Sequence, residues 1–380
     1  MRVAIFDAYY VEVLERLYAG TPGLDRRPYE EQLAAILGLC FGTTDAYSRP
    51  LRELGHDAQD LVVNWAPLQR AWAREHGVAP VLRRVGPVVP SLPGRALGQR
   101  LLHAVARAQV EALDPEVVYL QDFWFFTARE LRAMKSEGRF LVGQLGSRPP
   151  DDGRVALCDL VLTSFPHFVP RLREQGIDCE YFPIAFYERV LDRLRAEGLA
   201  CDPTTDERDI RAAFVGGIHA PDVHRGGTAL LERLAAEADV EFWGYVKDEL
   251  RPGSPIRARH HGEAWGLDMY RILARTQVAV NRHGDIAEDY ANNMRLFEAT
   301  GVGALLVTES ARNLPGLFTP GEEVVTYDSP DDLVEKVRYY VTHPDERRAI
   351  AAAGQRRTLA EHTYRHRMEQ LDGLLRARVG

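Results

Sequence analysis

The chain has 380 residues, 46% hydrophobic and 27% charged, with a formal net charge of −8. That length exceeds the usual size of one hydrophobic core and predicts two domains of ordinary globular composition, without low-complexity tracts or solenoid repeats. The acidic balance argues against nucleic acid as a partner, although residues 70–107 are locally basic. Cys40, Cys158, Cys179 and Cys201 form no Cys-x-x-Cys pair. They read as small core residues of a reducing compartment and not as zinc ligands. The sequence Met1-Arg-Val-Ala-Ile-Phe-Asp turns acidic too soon for a signal peptide, and no apolar run approaches the roughly 20 residues that span a bilayer. The expectation is a cytoplasmic protein without a transmembrane segment, a peripheral place at a membrane being left open.

Along the chain, short apolar runs alternate with longer amphipathic stretches, the mark of βαβ units around parallel sheets. Strands are predicted at residues 3–6, 61–64, 117–120, 140–142 and 160–163, with helices at 29–39 and 98–113 among them. Residues 188–211 are charged, lose their periodicity after Arg193 and predict a linker. The scheme then repeats. Strands are predicted at 212–215, 240–243, 278–281, 304–308 and 323–326, and helices at 227–236, 267–275, 293–300 and 330–342. Residues 350–378 predict a long charged helix. The expected domains are therefore 1–205 and 206–360, with 361–380 as a helix able to pack back on the first. Ligands of doubly wound sheets bind beyond the carboxyl ends of the strands. Function should concentrate at Asp7, Asp122, Gln144, Gly216, Gly244, Arg282 and Glu309.

In the second half, residues 292–309 carry the richest pattern. Asn292 suits a helix N-cap, Asn293 opens two helical turns, and Gly301 suits a left-handed end before a buried strand. Arg295 and Glu298 share one helical face. Free amides at the helix start suit a pyrophosphate, and a carboxylate one turn on can accept both hydroxyls of a ribose. The competing reading is an Arg–Glu surface pair on an ordinary helix. Gly216 and Gly217 end a strand and let a phosphate approach the backbone, and Arg225 offers a fork of donors to a diphosphate. Tyr245 follows Trp243-Gly244 and is the exposed candidate for stacking a nucleobase. His283 follows a buried strand, placed to meet a sugar or phosphate.

In the first half, Asp45 lies in the polar turn Phe41-Gly-Thr-Thr-Asp. Asp122 follows a strand and precedes Phe123, Trp124, Phe125 and Phe126. A carboxylate beside aromatic surface has a raised pKa suited to general base work. The aromatic run suits either an acceptor site or the core, and His167 reads as structural. No Asp-x-Asp sits at a strand end, and no P-loop or Gly-x-Gly-x-x-Gly is present. A divalent metal, a P-loop nucleotide and a dinucleotide cofactor are not expected.

Four segments carry a family resemblance: Leu267-Asp-Met-Tyr-Arg-Ile-Leu-Ala-Arg, residues 292–309, Pro320-Gly-Glu-Glu-Val-Val-Thr-Tyr and His362-Thr-Tyr. In these the chain resembles bacterial glycosyltransferases of the CgeB-like group, whose carboxyl half is a family-one-type glycosyltransferase domain. The resemblance implies an α/β GT-B architecture, two doubly wound Rossmann-like domains facing an interdomain cleft. It also implies a nucleotide-diphosphate sugar as donor substrate and no obligatory metal or cofactor. Glu298 falls where related enzymes hold the donor ribose, and Arg225 near the basic residue that meets the diphosphate. Tyr290, preceded by Asp289, stands where many retaining relatives have a second glutamate, and Gln144 where relatives often have a histidine. Transfer of a hexose-like sugar to an acceptor hydroxyl is the leading expectation. Asp45 and then Asp122 are the candidate bases if the reaction inverts, and no base is needed if it retains. A sugar-nucleotide 2-epimerase and a non-catalytic sugar-binding or structural protein on the same fold are the alternatives. The acceptor and the oligomeric state stay open.

Overall fold

A computed structural model of the chain describes residues 1–78, 95–205, 207–218, 228–246 and 250–380, with side chains from residue 98 onward in the helix Arg95–Leu113. Its contacts cluster into two compact units. One is Met1–Phe182 together with Met368–Gly380, and the other is Pro183–Arg367.

The first unit is built on six parallel strands: β1 (Arg2–Asp7), β2 (Asp57–Val62), β3 (Val117–Leu120), β4 (Phe140–Leu145), β5 (Leu160–Thr163) and β6 (Cys179–Tyr181). They lie in the order β2-β1-β3-β4-β5-β6. Every residue of β3 and β5 is buried, because helices cover both faces of a parallel sheet. β2 begins earlier than its apolar residues suggest. It is an edge strand, so Asp57 and Gln59 alternate into water while Ala58 and Leu61 turn inward. Met368, Leu371 and Leu375 of the last helix, Tyr364–Val379, are fully buried. Asp372 receives His56 at 2.7 Å, and Arg378 grips Asp178 at 2.6 Å.

The second unit has five parallel strands: β7 (Ile210–Val215), β8 (Glu241–Trp243), β9 (Thr276–Val280), β10 (Leu305–Glu309) and β11 (Val325–Tyr327), in the order β11-β10-β9-β7-β8. The residues expected to form a linker belong to this unit. The helix Arg189–Ala196 buries Val190, Leu191 and Leu194 on one face. Arg208 is buried and donates to the carbonyls of Leu273, Thr276 and Val302 at 3.2, 3.1 and 2.7 Å. The division between units therefore falls after Phe182 and not near residue 205. All four cysteines are free and buried. Among the described residues no helix is long and apolar enough to cross a membrane.

Candidate functional site

In the second unit the strand order reverses at β7, between β8 and β9. That switch point is where open α/β sheets bind ligands, and it gathers most of the expected residues. Past the strands, the amides of Gly216 and Ile218 donate to the carbonyls of Trp243 and Tyr245, each at 2.9 Å. The two backbones approach so closely that a Cβ on Gly244, whose φ is +142°, would lie 1.7 Å from the Gly216 oxygen. A Cβ on Gly217 would lie 2.7 Å from the Tyr245 hydroxyl. Tyr245 is half-buried and its ring lies parallel to Trp265, with centroids 5.7 Å apart.

Arg295 and Glu298 form a buried pair and not a surface one. Arg295 Nη1 donates to Glu298 Oε2 at 2.6 Å, and its Nε donates to the Val215 carbonyl at 3.1 Å, across the end of β7. Glu298 is 5% exposed, and its other oxygen accepts the Tyr270 hydroxyl at 3.3 Å. Burial raises the Glu298 pKa against the opposing pull of Arg295 and Tyr270. The fold thus places a carboxyl group where burial works against its ionised form, a condition common at functional sites.

The start of this helix differs from expectation. The helix is Arg295–Gly301, with Met294 at its cap position and no side-chain cap. Asn293, not Asn292, serves the first turn, its Oδ1 accepting the Leu296 amide at 3.3 Å. Its side-chain amide donates to Asn281 Oδ1 at 2.7 Å and to the Arg282 carbonyl at 2.8 Å, tying the helix to the end of β9. The seven residues of the helix make about two turns, the length expected. Gly301 is helical and packs on Phe186, where a Cβ would lie 2.5 Å from the ring. The left-handed residue is Gly303, at φ +79°.

His283 is half-buried and engaged at both ring nitrogens. Nδ1 accepts the Asn292 amide at 3.4 Å, which leaves the Nε2 proton for Thr308 Oγ1 at 3.3 Å. Its own amide donates to Glu309 Oε2 at 2.5 Å. His283 therefore joins the ends of β9 and β10 to the helix start. Arg282, one of the strand-end residues where function was expected to concentrate, is 6% exposed. It donates to the Gly217 carbonyl at 3.2 Å and lies over the Phe214 ring. Beside it opens a cavity of about 700 Å³, lined among others by Arg282, His283, Glu288, Tyr290, Glu309 and Tyr327. Glu288 holds φ +52° with ψ −123°, a strained backbone for any residue but glycine. Arg295 and Glu298 do not line that cavity. Arg225 lies outside the described residues. Among the described residues, no three His, Cys, Asp or Glu side chains gather as a metal site.

In the first unit the switch point falls at β1, between β2 and β3. Asp7 closes β1 and Asp122 follows β3. Burial and the charge of Asp122 push the Asp7 pKa up to about 7. Burial also raises Asp122, whose Oδ1 accepts the Trp124 amide at 2.5 Å. Asp45 belongs to a different group. It accepts the Thr44 hydroxyl at 3.2 Å, and its charge helps burial raise Asp60, which is held near 7. The two candidate bases, Asp45 and Asp122, thus lie in different surroundings: Asp122 meets the Trp124 amide and the Arg154 charge, and its own charge acts on Asp7. The sequence places Asp7 at a strand end, but its environment comes from residues far along the chain. Gln144 accepts the hydroxyls of Tyr47 and Tyr119 at 2.9 and 2.8 Å. The aromatic run divides, with Phe123 and Phe126 buried and Trp124 59% exposed.

Residues 225–373 match a family model described as glycosyl transferase-like. A search of curated protein sequences gives no significant match. Solved structures resemble the whole chain. Sucrose-phosphate synthase from Thermosynechococcus elongatus aligns with a TM-score of 0.59 at 12% identity, over 99% of this chain and 98% of its own. The Anabaena protein HepE, solved with UDP-glucose, aligns at 0.57 and 14%, over 99% and 100%. The UDP-GlcNAc 2-epimerase of Neisseria meningitidis aligns at 0.53 and 10%, over 100% of both chains. The chain accordingly has the GT-B fold of two Rossmann-like parallel-sheet domains, and its residues 225–373 resemble the glycosyl transferase-like family.

Proposed function

We propose that the protein is a glycosyltransferase that moves a sugar from a nucleotide-diphosphate sugar to an acceptor hydroxyl. The observation that carries this reading is the buried Arg295–Glu298–Tyr270 group beside the Gly216–Gly217 strand end. A buried carboxyl group fixed by an arginine and a tyrosine hydroxyl is suited to accepting two ribose hydroxyls. Glycines that admit a close backbone neighbour suit a diphosphate. Arg225 is the side chain we assign to that diphosphate, and neutralisation by arginine and backbone amides makes a metal unnecessary. The occurrence of this fold in chains solved with UDP-glucose and with UDP-GlcNAc supports a nucleotide-sugar donor.

The test is to incubate the full-length protein with UDP-, GDP-, dTDP- and ADP-sugars, with and without acceptors. Diphosphate release that requires an acceptor, and persists with a chelator, is the expected result. Strict dependence on manganese or magnesium contradicts the metal-free part. A second reading, sugar-nucleotide epimerisation, is favoured by the carboxylates Asp285, Glu288, Asp289 and Glu309 around one cavity. It needs several acid–base groups about one sugar, and it is recognised by an altered sugar nucleotide without release of diphosphate.

A further inference from the structure

A nucleotide-sugar donor can carry any of several bases, and the segment that follows β8 discriminates between them. Residues 259–262 lie along β8 as a further parallel run. The Phe242 amide donates to the Arg259 carbonyl, the His261 amide donates back to Phe242, and the Gly244 amide donates to Gly262, each at 2.9 Å. His260 bridges to Phe242, and its Nε2 donates to the Gly244 carbonyl at 2.9 Å. Continued along both chains, that register sets Glu263 beside Tyr245, past the end of β8. Trp265 completes the group. Its ring is parallel to that of Tyr245, and its Nε1 donates to Glu263 Oε2 at 3.0 Å. An exposed carboxylate is thereby held at the edge of an offset aromatic stack.

This group is joined to the buried Arg295–Glu298 pair. Gly266, at φ +52°, turns the chain from Trp265 into the helix Leu267–Arg275. In the first turn of that helix, Tyr270 donates to Glu298 and the Met269 sulfur accepts from Arg295. On the other side, the Tyr245 hydroxyl lies against Gly217. A nucleotide with its ribose at Glu298 and its diphosphate at Gly216-Gly217 has Tyr245 and Trp265 within reach of its base.

Stacking tolerates every base, because each has a π face. The base edge is what a carboxylate reads. Guanine presents two adjacent donors, N1–H and the 2-amino group, and a carboxylate offers two acceptor oxygens to match them. Uracil and thymine present one donor between two carbonyl oxygens, and adenine sets a ring-nitrogen acceptor beside its amino group. Each of those turns a lone pair towards the carboxylate, which works against the wrong base.

We propose that the donor is a guanosine-diphosphate sugar, and that Glu263 selects it by accepting the guanine N1–H and 2-amino protons while the base stacks on Tyr245 and Trp265. This assignment rests on the donor reading of the Arg295–Glu298–Tyr270 group. The fold shared with chains solved with UDP-glucose and UDP-GlcNAc does not set the base, because at 14% and 10% identity it carries the backbone alone.

The experiment titrates the full-length protein with GDP, inosine diphosphate, UDP, dTDP and ADP by calorimetry. GDP should bind about tenfold or more tightly than UDP, dTDP and ADP. Inosine diphosphate keeps N1–H and lacks the 2-amino group, so it should fall between. Glu263→Gln should bring GDP down to the level of UDP while moving UDP less than about twofold, because the new amide turns a donor towards the 2-amino group. Tyr245→Ala should weaken GDP and UDP alike. UDP, dTDP or ADP binding as tightly as GDP, or equal GDP affinity in the wild type and Glu263→Gln, overturns the base assignment and leaves the donor reading standing. Equal affinity for GDP and inosine diphosphate overturns the two-donor contact. Binding of no nucleotide defeats the donor reading, and this assignment with it.

Discussion

Glu298→Gln separates the charge of the buried carboxylate from its shape. The wild-type group is 5% exposed, 2.6 Å from Arg295 and 3.3 Å from the Tyr270 hydroxyl. Burial outweighs both partners and raises its pKa above the usual 4.5. A group raised in this way gives stability that is complete below its unfolded pKa and is lost as pH rises through the folded one. At neutral pH the ionised form is therefore the costlier, and an amide of equal volume, still accepting from Arg295, should leave the fold as stable or more so. Donor affinity should move the opposite way. A hydrogen bond to a charged group contributes about 1.5–3 kcal/mol, so a loss of about 2 kcal/mol weakens nucleotide binding roughly 30-fold. Urea denaturation at pH 7 and calorimetric titration with UDP, GDP, dTDP and ADP measure the two effects. The 2′-deoxy form of whichever nucleotide binds should lose affinity for the wild type and little for the variant. Equal nucleotide affinity in both proteins refutes the ribose assignment. Glu298→Ala is the poorer probe. It takes the carboxylate partner from the half-buried Arg295 and leaves a void, so weakened binding there would be confounded with damage to the fold.

Asp60, held near pKa 7 by burial, should make the first unit less stable as pH rises from about 4 to about 7. Asp60→Asn removes that slope. The raised pKa corresponds to about 4 kcal/mol at most, and water at this part-exposed side chain reduces it to about 2 kcal/mol of gain at pH 8, read by urea titration across pH. Gly244→Ala drives a methyl into the Gly216 carbonyl in a left-handed conformation, and should cost at least about 3 kcal/mol in chemical denaturation. Truncation after Arg367 removes Met368, Leu371 and Leu375, each fully buried and worth roughly 1.5–3 kcal/mol. Hydrogen exchange should then show loss of protection through β1 to β6.

Central strands were legible because their residues are apolar on both faces, as in the segments around Val118, Leu162, Phe214 and Leu306. The edges were not. β6 has three residues, one of them Glu180, and β2 alternates with Asp57 and Gln59, so neither shows an apolar run. Arg208 looked like linker charge, yet it satisfies three buried carbonyls that lie far along the chain. In the second unit the pairing of Arg295 with Glu298 followed from helical spacing, but its burial depended on β7 and Tyr270. Asn293 took the capping role expected of Asn292 because Asn281 and the Arg282 carbonyl hold its side chain. The chemistry of Asp7 was hidden for a similar reason. Its raised pKa needs Asp122 and the surrounding packing, while Asp45, nearer in sequence, acts on Asp60.

The chain leaves the first compact unit after Phe182 and rejoins it at Met368. During synthesis the ribosome must therefore make all of Pro183–Arg367 before the closing helix of the first unit exists. The second unit can fold while the first still lacks Leu371 and Leu375 against its core. The order of completion is the reverse of the order in sequence. A premature stop near the end of the message would leave the second unit whole and the first unit exposed to proteolysis.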